Sequence, residues 1–368
     1  MNPIAPQLTL SAPDGEYPIF VQAGLLEQIG ALITPQVEMK QEHFSKRCAL
    51  VTNPRVGGLY AARVVESLHN VGFDPHVIEI PEGERFKTLD TVSAVYDQLI
   101  DARLDRRSII FALGGGVIGD LTGFVAATFL RGVPFVQLPT TLLAMVDASI
   151  GGKVAVDHAR GKNLIGAFKQ PVAVVADPHT IETLPTEELR SGMAEVVKHG
   201  VIGDTQLFEE LENTSQTPQV SRWLVRAIKV KVDVVSRDPF EQGERAKLNL
   251  GHTFGHALER LSNYQMRHGD AVAIGMVCAT RLAVRLGICD DKLLPRVNNL
   301  LDTLGLPTRV PHALPIEAIL DAMATDKKRV NGRLRLVLPH ALGDVAVMDN
   351  IAHEDILATI EEARSSDP

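Results

Sequence analysis

Short apolar runs alternate with longer segments of helical periodicity through the first half of the chain. The runs at 48–52, 76–80, 108–113, 134–138 and 171–176 have the length and composition of buried strands. Most of the intervening segments repeat apolar residues with helical spacing, and this alternation predicts a parallel sheet with helices on both faces. A further segment of small, basic and β-branched residues at 150–157 is compatible with an edge hairpin.

The pattern changes after Pro185. Thr186, followed by two glutamates, is typical of a helix N-terminus, and most segments beyond it have helical periodicity. The run at 334–338 is strand-like. We therefore expect an α/β domain at 1–185 and a mostly α-helical domain at 186–368.

Composition narrows the class of protein. The 368 residues suffice for two domains that each bury a core. The net charge of −8, without a basic block, argues against nonspecific binding to nucleic acid or to a membrane surface. Cys48, Cys278 and Cys289 lack C-x-x-C spacing and indicate neither a disulfide framework nor a cysteine zinc site. No secretory signal or bilayer span is visible, so we expect a cytoplasmic protein.

A glycine cluster follows the predicted strand at 108–113. The sequence from Gly114 to Asp120 is GGGVIGD, which has the spacing of a loop that brings backbone N–H groups to a pyrophosphate. The spacing is equally compatible with a tight strand–helix turn that needs glycine for packing. Polar residues at neighbouring strand ends, among them Asn53 and Thr140, favour a nucleotide, because ligands of open α/β sheets bind there.

Histidines in the second half form a candidate metal site. His252 and His256 are four residues apart and would share one helix face, and His268 precedes a further predicted helix. Glu195 lies on an otherwise apolar helix face, where a cation or Lys198 would offset the cost of burying its charge. Spacing does not decide which two histidines would bind a metal, and two capping or core histidines fit it as well.

Basic and amide residues recur in weakly charged surroundings and are candidates for binding an anion. They are Arg131, Lys153, Lys162, Asn163, Lys198, Lys231, Arg245, Asn249 and the run at 327–329. For any one of them, solvated surface charge is the plainer interpretation. That interpretation is least convincing for Lys153 and Lys198, whose neighbours are glycine or apolar.

Together these segments resemble the 3-dehydroquinate synthases of the sugar-phosphate cyclase superfamily. The matching stretches follow the family order over nearly the whole chain, and they are 114–120, 139–153, 161–168, 191–199, 249–256, 268–275 and 326–328. The resemblance weakens at both ends and at 203–222. Asp157 stands where relatives often have asparagine, and Lys247 stands where an apolar residue is usual.

The resemblance implies an architecture and a reaction. The fold would be a Rossmann-like NAD-binding domain followed by a helical metal-binding domain, with the active site between them, in a homodimer. The enzyme would convert 3-deoxy-arabino-heptulosonate 7-phosphate to 3-dehydroquinate and phosphate, in the shikimate route to aromatic amino acids. NAD would oxidise the C5 hydroxyl, so that phosphate can leave, and would return the hydride before an aldol step closes the ring. Zn²⁺, or Co²⁺ in its place, would stabilise the alkoxide and enolate.

Residue roles are implied by the same resemblance. The implied metal ligands are Glu195, His252 and His268. The implied NAD contacts are Asn53, Glu84, Lys87, Gly115, Gly116, Asp120, Thr140, Thr141, Lys153, Lys162 and Thr183. The implied substrate contacts are Arg131, Asp147, Lys153, Asn163, Lys198, Lys231, Arg245, Asn249 and His256, together with Lys327 or Lys328.

Three of the implied substrate roles are specific. Asp147 and His256 would relay protons. Lys231 and Arg245 would bind the substrate carboxylate. Arg131 would reach across the dimer interface.

Three rival functions are weighed against this one. A metal-dependent polyol dehydrogenase would act on an uncharged substrate, would not need the lysines and would release reduced NAD. A sister cyclase would make an inosose, a valiolone or an aminated dehydroquinate. A non-catalytic sensor of NAD and metal would not need Lys198 and His256 beside all three ligands.

Overall fold

The computed structural model describes residues 4–13, 15–40, 44–213, 220–327 and 334–364. The chain forms two compact units. The first comprises Met1–Pro185 and Val220–Pro239, and the second comprises Thr186–Gln219 and Phe240–Pro368. The first unit therefore includes a segment from the helical half of the chain.

The strands of the described residues are β1 (Leu8–Ala12), β2 (Gly15–Val21), β3 (Arg47–Thr52), β4 (Asp74–Glu79), β5 (Ile109–Gly114), β6 (Phe135–Pro139), β7 (Lys153–His158), β8 (Gly161–Phe168), β9 (Ala173–Ala176), β10 (Arg335–Ala341) and β11 (Asp344–Asp349).

The α-helices are α1 (Ile29–Lys40), α2 (Pro54–Val56), α3 (Ala62–His69), α4 (Leu89–Asp101), α5 (Gly116–Thr128), α6 (Thr186–Gly203), α7 (Thr205–Glu212), α8 (Val220–Arg237), α9 (His252–Leu261), α10 (His268–Arg285), α11 (Leu293–Thr303), α12 (Ile316–Lys327) and α13 (His353–Glu362). Short 3₁₀ and π turns link several of them, including Glu84–Phe86, Pro178–Thr183 and Glu244–Asn249. None of the helices in the described ranges combines the length and the apolar character that crossing a bilayer requires.

A seven-stranded sheet organises the first unit. Its order is β1-β2-β9-β6-β5-β3-β4, and every neighbouring pair is parallel except β1 with β2. Alternate residues of β5 enter different cores, with Phe111 on one face and Ile110 on the other. This alternation is the consequence of side chains pointing to opposite faces along a strand. The predicted parallel sheet, covered on both faces, is confirmed.

The strand order reverses beside β3. From β3 the chain places β4 on one side and β5 on the other, so the carboxyl ends of β3 and β5 border a crevice. Ligands of open α/β sheets bind at such a point. Asn53 directly follows β3, and Gly115 directly follows β5.

The segment predicted as an edge hairpin at 150–157 differs from the expectation. Its residues supply β7, which pairs antiparallel with β8 in a separate two-stranded sheet and not at the edge of the main sheet. The helix α5 packs against β7, and Gly123 makes that approach possible because a Cβ there would collide with Val154. The hairpin thus lies over the helix that begins at the glycine cluster.

The second unit is mostly helical, as predicted. It contains α6, α7 and α9 to α13, with the hairpin β10–β11 as its sheet. The long helix α10 packs against α6, α9 and α11. Its residues from Ala271 to Ala279 are all buried, which explains its apolar sequence on every side.

Candidate functional site

Three helices of the second unit bring a carboxylate and two imidazoles together. Glu195 lies in the middle of α6, and His252 and His268 are the first residues of α9 and α10. Each offers one ligand atom, and these atoms lie within 4.8 Å of one another. The structure therefore brings together the three residues that the resemblance implies as metal ligands.

Glycines set the distances between these helices. A Cβ at Gly275 of α10 would overlap the carbonyl oxygen of Gly251, directly before α9. A Cβ at Gly269 would overlap the carbonyl oxygen of Ser191, one turn before Glu195 on α6. Ser191 also accepts the Gly269 N–H through its hydroxyl at 3.0 Å. Close backbone contact thus places His252 and His268 near Glu195.

Both histidines direct the same ring nitrogen toward Glu195. The distance from Oε1 of Glu195 is 3.7 Å to Nε2 of His252 and 3.4 Å to Nε2 of His268. The Nδ1–H of His252 donates to the carbonyl of Leu250 at 3.1 Å, which leaves its Nε2 as the lone-pair nitrogen. One carboxylate and two imidazoles in this arrangement match a zinc site with positions left open for substrate.

Lys198 completes the charge balance around Glu195. Its ammonium contacts Oε2 of Glu195 one turn along α6, and both side chains are essentially inaccessible. Burial would raise the pKa of the Glu195 carboxyl, but Lys198 and the two histidines outweigh it and hold that pKa well below its usual range. The carboxylate is therefore ionised and available as a ligand.

The pKa values of His252 and His268 shift in opposite directions. Burial, followed by the charge of Lys198, holds the pKa of His252 well below its usual range. Burial also opposes protonation of His268, but hydrogen bonds to Glu195 and Glu259 outweigh it and raise the pKa of His268 to about 10. In the protein without a bound cation, His252 is therefore neutral and His268 carries a proton.

His256 stands in a different relation to these groups. Its ring lies 5.3 Å from that of His252 and 6.3 Å from that of His268, centroid to centroid. Its ligand atoms form a second possible set with Glu259 and His268 and not with Glu195. Glu259 was not among the residues predicted from the sequence. Its position, seven residues after His252 on the same helix face, is the signal that could have found it.

The other substrate candidates of the second unit lie on the turn before α9. Arg245 is 2% exposed although it is a charged residue on a short 3₁₀ helix. The Asn249 amide donates to Oε1 of Glu241 at 3.2 Å. Glu241 was also not predicted, and its positive φ of 59° marks a strained turn.

The glycine cluster of the first unit forms a tight strand–helix turn. Gly115 is the N-cap of α5, and a Cβ there would lie 3.0 Å from Cγ2 of Thr141. Thr141 itself caps the next turn by accepting the N–H of Ala144 at 3.1 Å. The buried hydroxyl of Thr140 has no hydrogen-bond partner among the described residues. The first N–H groups of α5, which have no carbonyl partner within the helix, lie at this turn.

The Lys87 ammonium contacts one residue predicted to bind NAD and one predicted to bind substrate. Its ammonium lies 2.5 Å from Oδ2 of Asp120 and 2.6 Å from Oδ1 of Asn163. Burial opposes the charge of Lys87, but Asp120 and Glu84 outweigh it and raise the pKa of this ammonium. Asn163 has a positive φ of 54°, and its N–H donates to Asp157 at 2.7 Å. Asp157 therefore helps to hold Asn163 in its unusual conformation.

The remaining predicted NAD contacts also lie in the first unit. Asn53 caps α2 by accepting the N–H of Val56 at 2.9 Å. Lys162 lies 3.7 Å from Glu84. The Thr183 hydroxyl lies 2.5 Å from that of Tyr60, a partner that sequence analysis did not identify.

Asp147 and Lys231, both assigned to substrate, are bound to each other in the first unit. The Lys231 ammonium lies 2.5 Å from Oδ1 of Asp147 and 2.6 Å from its backbone oxygen. Lys153 is an exposed residue at the start of β7. Arg131 has a positive φ of 67° and lies beside Gly132, on the turn between α5 and β6.

The last predicted substrate contact is Lys327 or Lys328. Lys327 ends α12, and Lys328 lies outside the described residues.

Two family models match consecutive parts of the chain. The 3-dehydroquinate synthase N-terminal model matches residues 77–191, and the C-terminal model matches residues 192–329. A curated 3-dehydroquinate synthase of Desulforamulus reducens is 48% identical over 356 residues, which is 94% of this chain and 97% of that protein.

Two solved structures of sugar-phosphate cyclases share the fold. The 2-epi-5-epi-valiolone synthase of Streptomyces hygroscopicus, solved with NAD⁺ and Zn²⁺ bound, is 27% identical with a TM-score of 0.84, over 94% of this chain and 96% of that one. A 2-deoxy-scyllo-inosose synthase, complexed with carbaglucose-6-phosphate, NAD⁺ and Co²⁺, is 25% identical with a TM-score of 0.84. The alignment covers 97% of this chain and 99% of that synthase.

Proposed function

The chain belongs to the 3-dehydroquinate synthase family, and we propose that it converts 3-deoxy-arabino-heptulosonate 7-phosphate to 3-dehydroquinate and phosphate. The observation that carries this proposal is the convergence of Glu195, His252 and His268 within 4.8 Å. The sister cyclases are more distant in sequence than the curated dehydroquinate synthase, which favours this product over a valiolone or an inosose. The product would enter the shikimate route to aromatic amino acids.

The proposed cofactors are NAD and a divalent cation, Zn²⁺ or, in its place, Co²⁺. NAD, when bound, accepts a hydride and returns it within one turnover, and the cation polarises substrate hydroxyls. Glu195, His252 and His268 would hold the cation. Their fit rests on a donor set of one ionised carboxylate and two imidazoles that present Nε2.

NAD would bind at the crevice where the strand order of the first unit reverses. The turn at Gly115 and Gly116 would place the N–H groups of α5 against the pyrophosphate. The hydroxyl of Thr140, which lacks a partner among the described residues, is available to the dinucleotide. Lys87 and Asp120 would hold each other in place beside it.

Substrate recognition would rest on the cations of this acidic chain. The buried Arg245 guanidinium suits the substrate carboxylate, with Lys231 as its proposed partner. Lys153, Asn163 and Arg131 would hold the phosphate, whose own oxygens can accept the proton lost during its elimination. Lys198, Asn249 and a lysine at 327 or 328 are further proposed contacts. A substrate with two anionic groups accounts for so many cations in a chain of net charge −8.

Two side chains are proposed to move protons. The Asp147 carboxylate, which the Lys231 ammonium contacts at 2.5 Å, would accept a proton from the substrate. His256 is an exposed imidazole 5.3 Å from the ring of His252, centroid to centroid, and would be the second group that transfers a proton.

We also propose a homodimer in the cytoplasm. Arg131 would reach the substrate of the second subunit, which would make the dimer functional. The described cysteines form no disulfide, in keeping with a reducing compartment.

A substrate panel tests the proposal. The protein, loaded with NAD and zinc, is given the heptulosonate phosphate, a heptulose phosphate without the carboxylate, or glycerol. We expect equimolar phosphate and dehydroquinate from the first substrate alone. Reduced NAD from glycerol would indicate a polyol dehydrogenase, and a cyclised product from the heptulose phosphate would indicate a sister cyclase. No turnover of any substrate would favour a sensor.

A further inference from the structure

Glu259 is a buried carboxylate for which the proposed reaction has no assigned role. It lies on α9, two helical turns after His252, and its side chain is 8% exposed. Its Oε1 lies 3.5 Å from Nδ1 of His268. Burying a carboxylate is costly unless a hydrogen-bond donor or a cation compensates it. The imidazole of His268 can provide such a donor.

The two ring nitrogens of His268 face different carboxylates. Nε2 faces Glu195 at 3.4 Å, whereas Nδ1 faces Glu259 at 3.5 Å. A neutral imidazole has one N–H and one lone pair. If Glu259 accepts the N–H of Nδ1, the lone pair must lie on Nε2, which is the nitrogen directed at Glu195.

His252 has the same arrangement with a different acceptor. The carbonyl of Leu250 accepts its Nδ1–H, and its Nε2 faces Glu195. Both histidines thus present the same nitrogen to the same carboxylate, each held from behind by an oxygen acceptor. The acceptor behind His252 is a backbone carbonyl, which any residue at position 250 would provide. The acceptor behind His268 is a side chain, so it depends on glutamate at position 259.

We propose that Glu259 is a positioning residue that fixes the tautomer and the ring orientation of His268 for binding a divalent cation. The proposal rests on the proposed function, because it requires that His268 is a ligand. A carboxylate behind a ligand histidine also increases the electron density on the ligating nitrogen, which strengthens the bond to the cation. Glu259 acts through His268 and does not itself contact the cation.

The same residues allow one competing arrangement. His256, Glu259 and His268 could hold a second cation directly. That arrangement would use the lone pair of Nδ1, whereas the proposal places a proton there. The two arrangements differ in the number of zinc ions bound, one in the proposal and two in the alternative.

Zinc affinity of three variants tests the proposal. Glu259→Gln keeps an acceptor oxygen but removes the charge, and Glu259→Leu removes both. The matched control is Glu212→Gln, which removes a carboxylate of the same unit that is paired with Arg296. Metal-free protein is titrated with zinc against a chelator of known affinity, so catalysis is not needed for the readout.

We expect one zinc per chain and affinities in the order wild type, Gln, Leu. The loss should be about 10-fold for Gln and approach about 100-fold for Leu, with no change in the control. The visible spectrum of the cobalt-loaded protein should shift in both Glu259 variants. The unfolding temperatures of the metal-free variants should not follow the order of their zinc affinities. A residue with a purely structural role would give the opposite result, a lower unfolding temperature with an unchanged cobalt spectrum.

Two outcomes would overturn the proposal. Zinc affinity of Glu259→Leu within about twofold of wild type would remove the role of Glu259 while leaving His268 a ligand. Two zinc ions per wild-type chain would assign Glu259 to a second site. If wild-type protein bound no zinc at all, the proposed function itself would fail, which distinguishes the two failures.

Discussion

Every charged group around Glu195 has a structural reason to be there. The carboxylate is fully buried, Lys198 balances it, and His252 and His268 direct Nε2 toward it. Sequence spacing does not identify which two of His252, His256 and His268 would bind the metal. His252 and His256 share one face of α9, and His268 begins a different helix. The choice depends on helix packing and on the acceptor behind each ring, which only the fold supplies.

Removing one imidazole should separate metal binding from folding. We expect His268→Ala to lose zinc and activity together while retaining its secondary structure, because the side chain is partly exposed and its removal strands no buried apolar group. Metal analysis and circular dichroism check this. The control is His340→Ala, which removes an exposed histidine of the hairpin. Full zinc in His268→Ala would refute the ligand assignment.

Zinc binding should release protons. His268 has a raised pKa, about 10, in the protein without a cation, so it is protonated at neutral pH and must lose that proton to bind zinc. Zinc affinity should therefore rise with pH up to about pH 10 and level off above it. Calorimetric titrations in buffers of different ionisation enthalpy measure the release. At neutral pH the wild-type protein should release at least one proton per zinc bound, and zinc binding without proton release would contradict the assignment.

Strands could be predicted from the sequence where burial on both faces makes every residue of the strand apolar. β3 and β5 lie within one residue of the expected runs, because strands buried on both faces of a parallel sheet are apolar throughout. The edge strand β1, its neighbour β2 and the hairpin strand β11 were missed, because each mixes polar with apolar positions. The helix α1 was also missed, and it contains Pro35, which interrupts a helical pattern.

The pairing partner of a strand cannot be predicted from its local sequence pattern, as the separate hairpin β7–β8 shows. Its alternating residues are compatible with a strand in any sheet, and its pairing partner follows from packing on α5. The glycines that permit such packing look alike in sequence. Only the fold distinguishes Gly123, which meets Val154, from Gly58, whose surroundings are open.

Close contact between α9 and α10 should be essential to the site. We expect Gly275→Ala to destabilise the protein by about 1–3 kcal/mol and to weaken zinc binding, because its Cβ would overlap the backbone of Gly251 and push His252 away from His268. Denaturant unfolding and zinc titration measure both effects. The control, Gly58→Ala, adds a methyl group in open space and should be neutral or slightly stabilising. Unchanged zinc affinity in Gly275→Ala would show that this contact does not set the ligand geometry.

At the scale of the whole molecule, each unit supplies a different part of the proposed chemistry. The first unit presents the crevice, the glycine turn and the Lys87 group. The second unit presents the three ligands and Arg245. The family resemblance, spread over nearly the whole chain, assigned these roles where single motifs left alternatives open. The resemblance did not point to Glu241 or Glu259, whose contacts with Asn249 and His268 appear in the fold.

Mixed dimers test the predicted role of Arg131. Arg131→Ala and His268→Ala should each be nearly inactive alone. If Arg131 serves the partner's substrate, co-refolding the two in equal amounts should restore about a quarter of wild-type activity. Half of the dimers are then mixed, and one of the two sites in each is complete. Absence of any recovery, with dimers verified by light scattering, would place Arg131 in its own subunit's site or outside any site.

The central claim is that one active site oxidises its substrate and then reduces it again with the same nicotinamide. The zinc-loaded protein is therefore given NAD in much smaller amount than the heptulosonate phosphate, and phosphate, dehydroquinate and reduced NAD are followed together. We predict that phosphate and dehydroquinate each reach the amount of substrate supplied, with no net formation of reduced NAD. Product that stops at the amount of NAD, with an equal amount of reduced NAD, would contradict the account.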